Sequence, residues 1–201
     1  FSDKFGAKGC FFGVNGASGL IQSAVIAMAN PGETILMPRN VHISVIKICA
    51  MQNIHPIFFD LDFSSETGHY KPITKNWLKN VFKKINFNEK KIVGVILVSP
   101  SYHGYAGDLE PLIDLCHQKN LPVLVDEAHG SYFLFCENLN LPKSALSSNA
   151  DLVVQSLHKS LNGLTQTAVL WYKGNLVNEH NLMKSINLLQ TTSPSSLLLS
   201  S

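Results

Sequence analysis

The sequence has few of the features that define several large protein classes. Its 201 residues contain no apolar run of about 18 residues, the length that a membrane-spanning helix needs. Its four cysteines form no CxxC pair, which predicts a reduced, cytoplasmic protein without a disulfide framework. Net charge is only +2, so the composition indicates no nucleic-acid partner.

Apolar residues are plentiful, and their spacing predicts the fold. They make up 45% of the chain against 15% charged residues, enough for one large core. Short apolar runs alternate with segments of helical spacing, and the run at 92–99 is predominantly apolar, as the central strand of a parallel sheet requires. The pattern predicts a three-layer α/β/α domain with a mainly parallel sheet, and a polar surface loop at 62–73.

Five polar clusters follow five of the predicted strands. In sheets of this kind ligands bind beyond the carboxyl ends of the strands, where such clusters meet. We therefore expect one site built from all five. The clusters are the stretches at 15–19, 38–42, 99–104, 126–129 and 156–159.

The most informative pair in these clusters is Asp126 and Lys159. Asp126 ends an apolar strand, where a carboxylate is costly to bury without a partner, and a protonated pyridine nitrogen is such a partner. Lys159 follows the next strand, where a desolvated lysine can form a Schiff base. The pair predicts a pyridoxal 5'-phosphate (PLP) site with both residues catalytic. Taken alone, Asp126 is also compatible with a helix cap or a metal ligand, and Lys159 with a surface lysine.

Four further residues match the phosphate group of that cofactor. Ser18 and Gly19 stand at the start of a predicted helix, where free N–H groups and a hydroxyl suit an anion, although a simple cap fits the same turn. Ser156 precedes Lys159 by three positions and offers a second hydroxyl. His158 contacts the phosphate or the substrate, or merely packs, and the sequence leaves these roles open.

Two histidines complete the candidate set. His42 is placed to stack on a flat ring or to cap a helix, and His129 to hydrogen-bond the phenolic oxygen of PLP with Ala128 against the ring face. The tetrapeptide that ends at His129 also occurs in helicases, but no GKS or GKT motif accompanies it. No HxxH, HxxxH or CxxC spacing is present, so no metal site is expected. Tyr102 and His103 are equally compatible with the pocket wall and with packing.

Together these stretches resemble the major domain of the Orn/Lys/Arg decarboxylase family, PLP-dependent enzymes with an aspartate-aminotransferase-like (fold type I) core. The resemblance implies that 1–201 is one PLP-binding major domain, with the family's N-terminal segment and smaller C-terminal domain outside it. One departure is Ala17, which stands where many members have Thr. The matching stretches are 12–19, 38–45, 99–104, 125–130, 155–161 and 164–168, with 190–195 after the lysine.

The resemblance also implies a reaction, namely α-decarboxylation of a basic amino acid in polyamine biosynthesis, with arginine to agmatine favoured over lysine and ornithine. By the same resemblance Lys159 carries the cofactor, Asp126 pairs with its ring nitrogen and His42 stacks on the ring. Active sites of this fold lie at a subunit interface, which implies a homodimer or higher homo-oligomer. Two alternatives stay open: another fold-type-I enzyme such as an α-oxoamine synthase, and a non-catalytic PLP-fold subunit.

Overall fold

A mixed β-sheet forms the centre of the domain. The computed structural model describes residues 2–87, 89–136 and 139–200, and within them seven strands form this sheet while two short strands form a separate hairpin. The strands are β1 (Gly9–Gly13), β2 (Thr34–Pro38), β3 (His55–Phe59), β4 (Phe63–Ser64), β5 (His69–Tyr70), β6 (Ile92–Val98), β7 (Val123–Asp126), β8 (Leu152–Ser156) and β9 (Ala168–Tyr172).

The strand order brings the carboxyl ends of six strands to one edge. Across the sheet the order is β1-β9-β8-β7-β6-β2-β3. Neighbours from β8 to β3 pair in parallel, whereas β9 is antiparallel to both β8 and β1. Because β1 and β8 both run against β9, β1 points the same way as the parallel strands. The prediction of a mainly parallel sheet is confirmed, and the five clusters lie at this carboxyl edge.

Helices cover both faces of the sheet. They are α1 (Gly16–Met28), α2 (Ile43–Met51), α3 (Lys75–Lys84), α4 (Glu110–His117), α5 (Leu157–Ser160), α6 (Glu179–Leu189) and α7 (Ser196–Leu199). One apolar core lies under α1, α2 and α6, and we call this side of the sheet the α1 face. A second core lies under α3 and α4, on what we call the α3 face. The three-layer prediction is therefore also confirmed.

Side-chain alternation along β7 and β8 divides their residues between the two faces. Leu124 and Val154 belong to the core of the α1 face, and Val125 and Val153 to the core of the α3 face. Continuing the alternation places Asp126 on the α1 face, and the residue after it, Glu127, on the α3 face.

Two segments differ in kind from what the sequence predicts. The stretch at 62–73, expected to be a loop, contains the hairpin of β4 and β5, in which Phe63 pairs with Tyr70. A 3-10 helix at Ser131–Phe135 was not expected, because its short apolar run has no helical spacing. The turn that holds Lys159 is the one-turn helix α5.

Candidate active site

An open cleft of about 120 Å³ lies at the carboxyl edge of the sheet on the α1 face. Each of the five polar clusters contributes to its wall. Five of the eight predicted site residues line it: Ser18, His42, Asp126, His129 and Lys159. The convergence expected from strand-end positions is therefore present in the folded chain.

Lys159 reaches the cleft from α5 and contacts His129. Its Nζ lies 3.0 Å from Nε2 of His129, a hydrogen-bonding distance. Burial lowers the pKa of His129, and the charges of Lys159 and His42 lower it further, so the neutral imidazole is favoured. An unprotonated Nε2 accepts a hydrogen bond from the lysine ammonium, and the contact holds Nζ inside the cleft.

Asp126 presents a buried carboxylate to the same cleft. Only 7% of the residue is exposed, and burial raises the pKa of its carboxyl while the backbone N–H of Ala128 and the charges of His42 and Lys159 oppose the rise. The N–H of Ala128 donates to Oδ1 at 3.1 Å. In the described part of the chain, no lysine, arginine or histidine nitrogen lies within 4.0 Å of this carboxylate. A buried acid with no cation in direct contact indicates that a cationic group of a ligand completes the site.

His42 acts as a helix cap and also lines the cleft. It is the N-cap of α2, and its Nδ1 accepts a hydrogen bond from the backbone N–H of Ser44 at 3.2 Å. The same nitrogen lies 2.8 Å from the Ser44 hydroxyl. The two interpretations of His42 are therefore compatible, because capping fixes the imidazole at the cleft wall.

The start of α1 fits an anion. Asn15 is the N-cap, but its side chain makes no capping hydrogen bond, and the N–H of Gly16 donates to the carbonyl of Gln166 at 2.8 Å. The N–H groups of Ala17 and Ser18 belong to the first turn, where an α-helix offers no internal acceptor, and both residues line the cleft. With the helix dipole and the Ser18 hydroxyl they form a favourable phosphate position.

Three predicted cofactor-binding residues do not line the cleft. Gly19 lies against Gln190, the C-cap residue of α6, and an added Cβ would come within 2.9 Å of its Nε2. Ser156 is buried, with its hydroxyl 3.4 Å from Nδ1 of His158. That same nitrogen lies 3.2 Å from the carbonyl oxygen of Thr167, so this ring nitrogen of His158 contacts groups of the protein itself. Their binding roles stay predictions.

Two residues that the sequence did not indicate as site residues support the site. Asn40 lines the cleft, and its Oδ1 is buried without a hydrogen-bond partner among the described residues. Its position in the polar cluster at 38–42 could have indicated that it lines the cleft. Ser131 is fully buried, and its hydroxyl lies 2.9 Å from the carbonyl oxygen of Ser156 and 2.7 Å from the hydroxyl of Ser160. No sequence signal indicated Ser131, because its partners are 25 and 29 positions away.

The groups in the cleft fit PLP. The primary amine matches the aldehyde of PLP, and the buried acid with no cation in direct contact matches the ring nitrogen. The unpartnered amide oxygen matches a polar ring substituent, and the start of α1 matches the phosphate. Among residues 2–87, 89–136 and 139–200, no group of three or more His, Cys, Asp or Glu side chains is arranged to hold a metal ion.

Comparison with known proteins identifies the family. The family model described as "Orn/Lys/Arg decarboxylase, major domain" matches residues 1–201. The chain belongs to the Orn/Lys/Arg decarboxylase family. It is 38% identical over 197 residues to an arginine decarboxylase of Bacillus cereus, covering 98% of this chain and 42% of that protein. It is 36% identical over 200 residues to an arginine decarboxylase of Bacillus subtilis, covering 100% of this chain and 40% of that protein.

Solved structures of lysine decarboxylases share the fold of this family member. The constitutive lysine decarboxylase of E. coli matches with a TM-score of 0.82 at 22% identity, and a lysine decarboxylase of Francisella novicida matches with a TM-score of 0.80 at 23% identity. Each comparison covers 100% of this chain and 29% of the other. The chain spans about two fifths of the length of the arginine decarboxylases it matches. None of the helices in the described ranges is long and apolar enough to cross a membrane.

Proposed function

We propose that this chain binds PLP through Lys159 and that the protein it belongs to decarboxylates a basic amino acid, arginine first. The observation that carries the proposal is that Lys159 lines the same cleft as Asp126, a buried acid with no salt-bridge partner within 4.0 Å among the described residues. When bound, PLP supplies an electron sink for the pair of electrons left at the α-carbon after carbon dioxide departs.

The residues of the chain have separate roles in this proposal. Asp126 pairs with the ring nitrogen and keeps it protonated, and His42 stacks on the ring. Ser18 and the first turn of α1 bind the phosphate, with Gly19, Ser156 and His158 as further contributors. His129 holds the Nζ of Lys159 in the cleft through their 3.0 Å contact and hydrogen-bonds the phenolic oxygen.

Arginine is the proposed substrate because the curated relatives at 36–38% identity are named arginine decarboxylases. The product would then be agmatine, a precursor of polyamines. Lysine and ornithine are the alternatives within the family. The lysine decarboxylase structures, at 22–23% identity, support the fold and carry no weight for the substrate.

Three further properties belong to the same proposal. Residues 1–201 form the PLP-binding major domain of a longer protein, which the coverage of its relatives supports. The protein is a homodimer or higher homo-oligomer, because the cleft is open and a second subunit would cover a bound cofactor. It works in the cytoplasm, which four free cysteines support.

The test measures product and cofactor separately. The full-length protein is incubated with PLP and with arginine, lysine or ornithine, and amine and carbon dioxide are quantified. We expect stoichiometric release of both from arginine. Bound PLP with acyl-CoA condensation in place of decarboxylation would favour an α-oxoamine synthase, and a protein without visible cofactor absorbance would favour a non-catalytic subunit.

A further inference from the structure

A chain of buried hydrogen bonds lies on the α3 face, directly behind the cleft. Glu127 is fully buried, and its Oε1 accepts from the backbone N–H of Ala145 at 2.7 Å. Its Oε2 accepts from Nε2 of Gln155 at 2.6 Å, and Oε1 of Gln155 accepts from Nε1 of Trp171 at 2.7 Å. These hydrogen bonds thus connect the end of β7 with β8 and β9.

The donors at the two ends of this series of hydrogen bonds determine the direction of every bond in it. The indole N–H of Trp171 and the backbone N–H of Ala145 are donors only. Gln155 must therefore turn its oxygen toward Trp171 and its NH₂ toward Glu127, which leaves both oxygens of Glu127 as acceptors. An amide at position 127 would have only one oxygen to offer, and its NH₂ would face a second donor.

Glu127, which directly follows β7, and Gln155 on β8 are both sequence neighbours of predicted site residues. Glu127 follows Asp126, and Gln155 precedes Ser156. Regular pairing of the two strands ends at Asp126 and Val154, and the N–H of Glu127 donates to the carbonyl of Val154 at 2.9 Å. The 2.6 Å bond between the side chains of Glu127 and Gln155 continues the connection one residue beyond that point.

We propose that Glu127 is a positioning residue: through Gln155 and Trp171 it holds the ends of β7 and β8 so that Asp126 and Lys159 keep their places in the cleft. Glu127 itself does not touch the cofactor. This inference rests on the proposed function, because it concerns the affinity of the site for PLP.

A swap of the two side chains tests the proposal. In Glu127→Gln, two NH₂ groups face each other, and we expect the affinity for PLP to fall about tenfold or more, the size expected of one mispaired buried hydrogen bond. In the double variant Glu127→Gln/Gln155→Glu, every bond regains a donor and an acceptor, and only the bond between positions 127 and 155 reverses its direction. We expect its PLP affinity to return to within about threefold of wild type, by the same hydrogen-bond matching.

The control lies at the opposite edge of the same strands. There the Oδ2 of the buried Asp151 accepts from Nε2 of His117 and from the N–H of Val123, both at 2.8 Å. Asp151→Asn disturbs a buried network of similar size far from the cleft. It should lower the melting temperature as much as Glu127→Gln does and leave the affinity for PLP unchanged.

The measurement is an absorbance titration of the full-length apoprotein with PLP, alongside thermal unfolding of each variant. Equal PLP affinity in wild type and Glu127→Gln, an equal loss in Asp151→Asn, or no recovery in the double variant would each overturn the positioning role. A wild type that takes up no PLP would instead overturn the proposed function.

A second variant serves if Glu127→Gln does not fold. In Gln155→Glu, two carboxyl groups meet where the present bond is 2.6 Å, so one of them must hold a proton. Relative to wild type, its affinity for PLP should fall as the pH rises from about 6 to about 9, and a pH-independent ratio would contradict the proposal.

Discussion

Ser131 offers a sharp test of how the turn with Lys159 is held. Its hydroxyl donates to the carbonyl oxygen of Ser156 at 2.9 Å and accepts from the hydroxyl of Ser160 at 2.7 Å. These two bonds bracket α5, the one-turn helix that carries Lys159. Ser131→Ala removes both bonds while changing little volume at a fully buried position.

The expected cost follows from the number of bonds lost. Each buried hydrogen bond contributes about 1 kcal/mol, so Ser131→Ala should lower the free energy of unfolding by about 2 kcal/mol and Ser160→Ala by about 1 kcal/mol. For a chain of this size, about 2 kcal/mol corresponds to a decrease in melting temperature of roughly 4–8 °C. Urea unfolding of the two single variants and the double variant measures these values.

The double variant decides whether the two hydroxyls act as one unit. Once Ser131 is alanine, Ser160 has lost its partner, so adding Ser160→Ala should cost little more. The fraction of Lys159 that borohydride links to PLP at limiting cofactor should fall in Ser131→Ala, because α5 is held less firmly. Strictly additive costs, or an unchanged borohydride-trapped fraction, would refute this reasoning.

Three other predictions concern the cleft and its support. Lys159→Ala should abolish turnover and the borohydride-reducible link to PLP, and a link retained in that variant would mean that another amine holds the cofactor. Asp126→Ala should keep part of the bound PLP but lose turnover on the order of a hundredfold, because the ring nitrogen loses its counter-charge; near-wild-type rates would contradict the pairing. Burial raises the pKa of Glu127 from 4.5 to about 8. Protonation of Glu127 therefore stabilises the folded apoprotein in full below pH 4.5, and this contribution is lost as the pH rises through about 8. The unfolding free energy of wild type minus that of Glu127→Gln should accordingly decrease across this window in urea titrations, and an increase would mean that the carboxylate form is favoured by folding.

The sequence predicted the sheet and the convergence of the site because both depend on local patterns. Apolar runs determine the strands, and the positions of Asp126 and Lys159 at strand ends bring them together once the strands run in parallel. The hairpin of β4 and β5 was missed because its strands are two residues each, too short to show an alternating pattern. Its pairing depends on contacts such as that of Phe63 with Tyr70, at a ring-centroid distance of 5.5 Å.

Supporting residues were harder to predict than the residues of the cleft. Glu127 stands beside Asp126, yet its role depends on Ala145 and Gln155, which are 18 and 28 positions away. Short-range spacing carries no information about such partners. Strand alternation provides a partial signal, because a charged residue that follows a fully buried strand and points away from the site must find donors in the opposite core.

The two faces of the sheet therefore have different roles, with site residues on one face and supporting residues on the other. Alternation along β7 and β8 places Asp126 and Ser156 toward α1, and Glu127 and Gln155 toward α3. A slip of one residue in either strand would exchange these sets, burying a site residue in the apolar core and exposing a supporting residue in the cleft. The bond between Glu127 and Gln155 forms only in the native register, so it stabilises the one strand alignment in which the cleft residues converge. A variant that lacks this bond should lose affinity for PLP before it loses the fold.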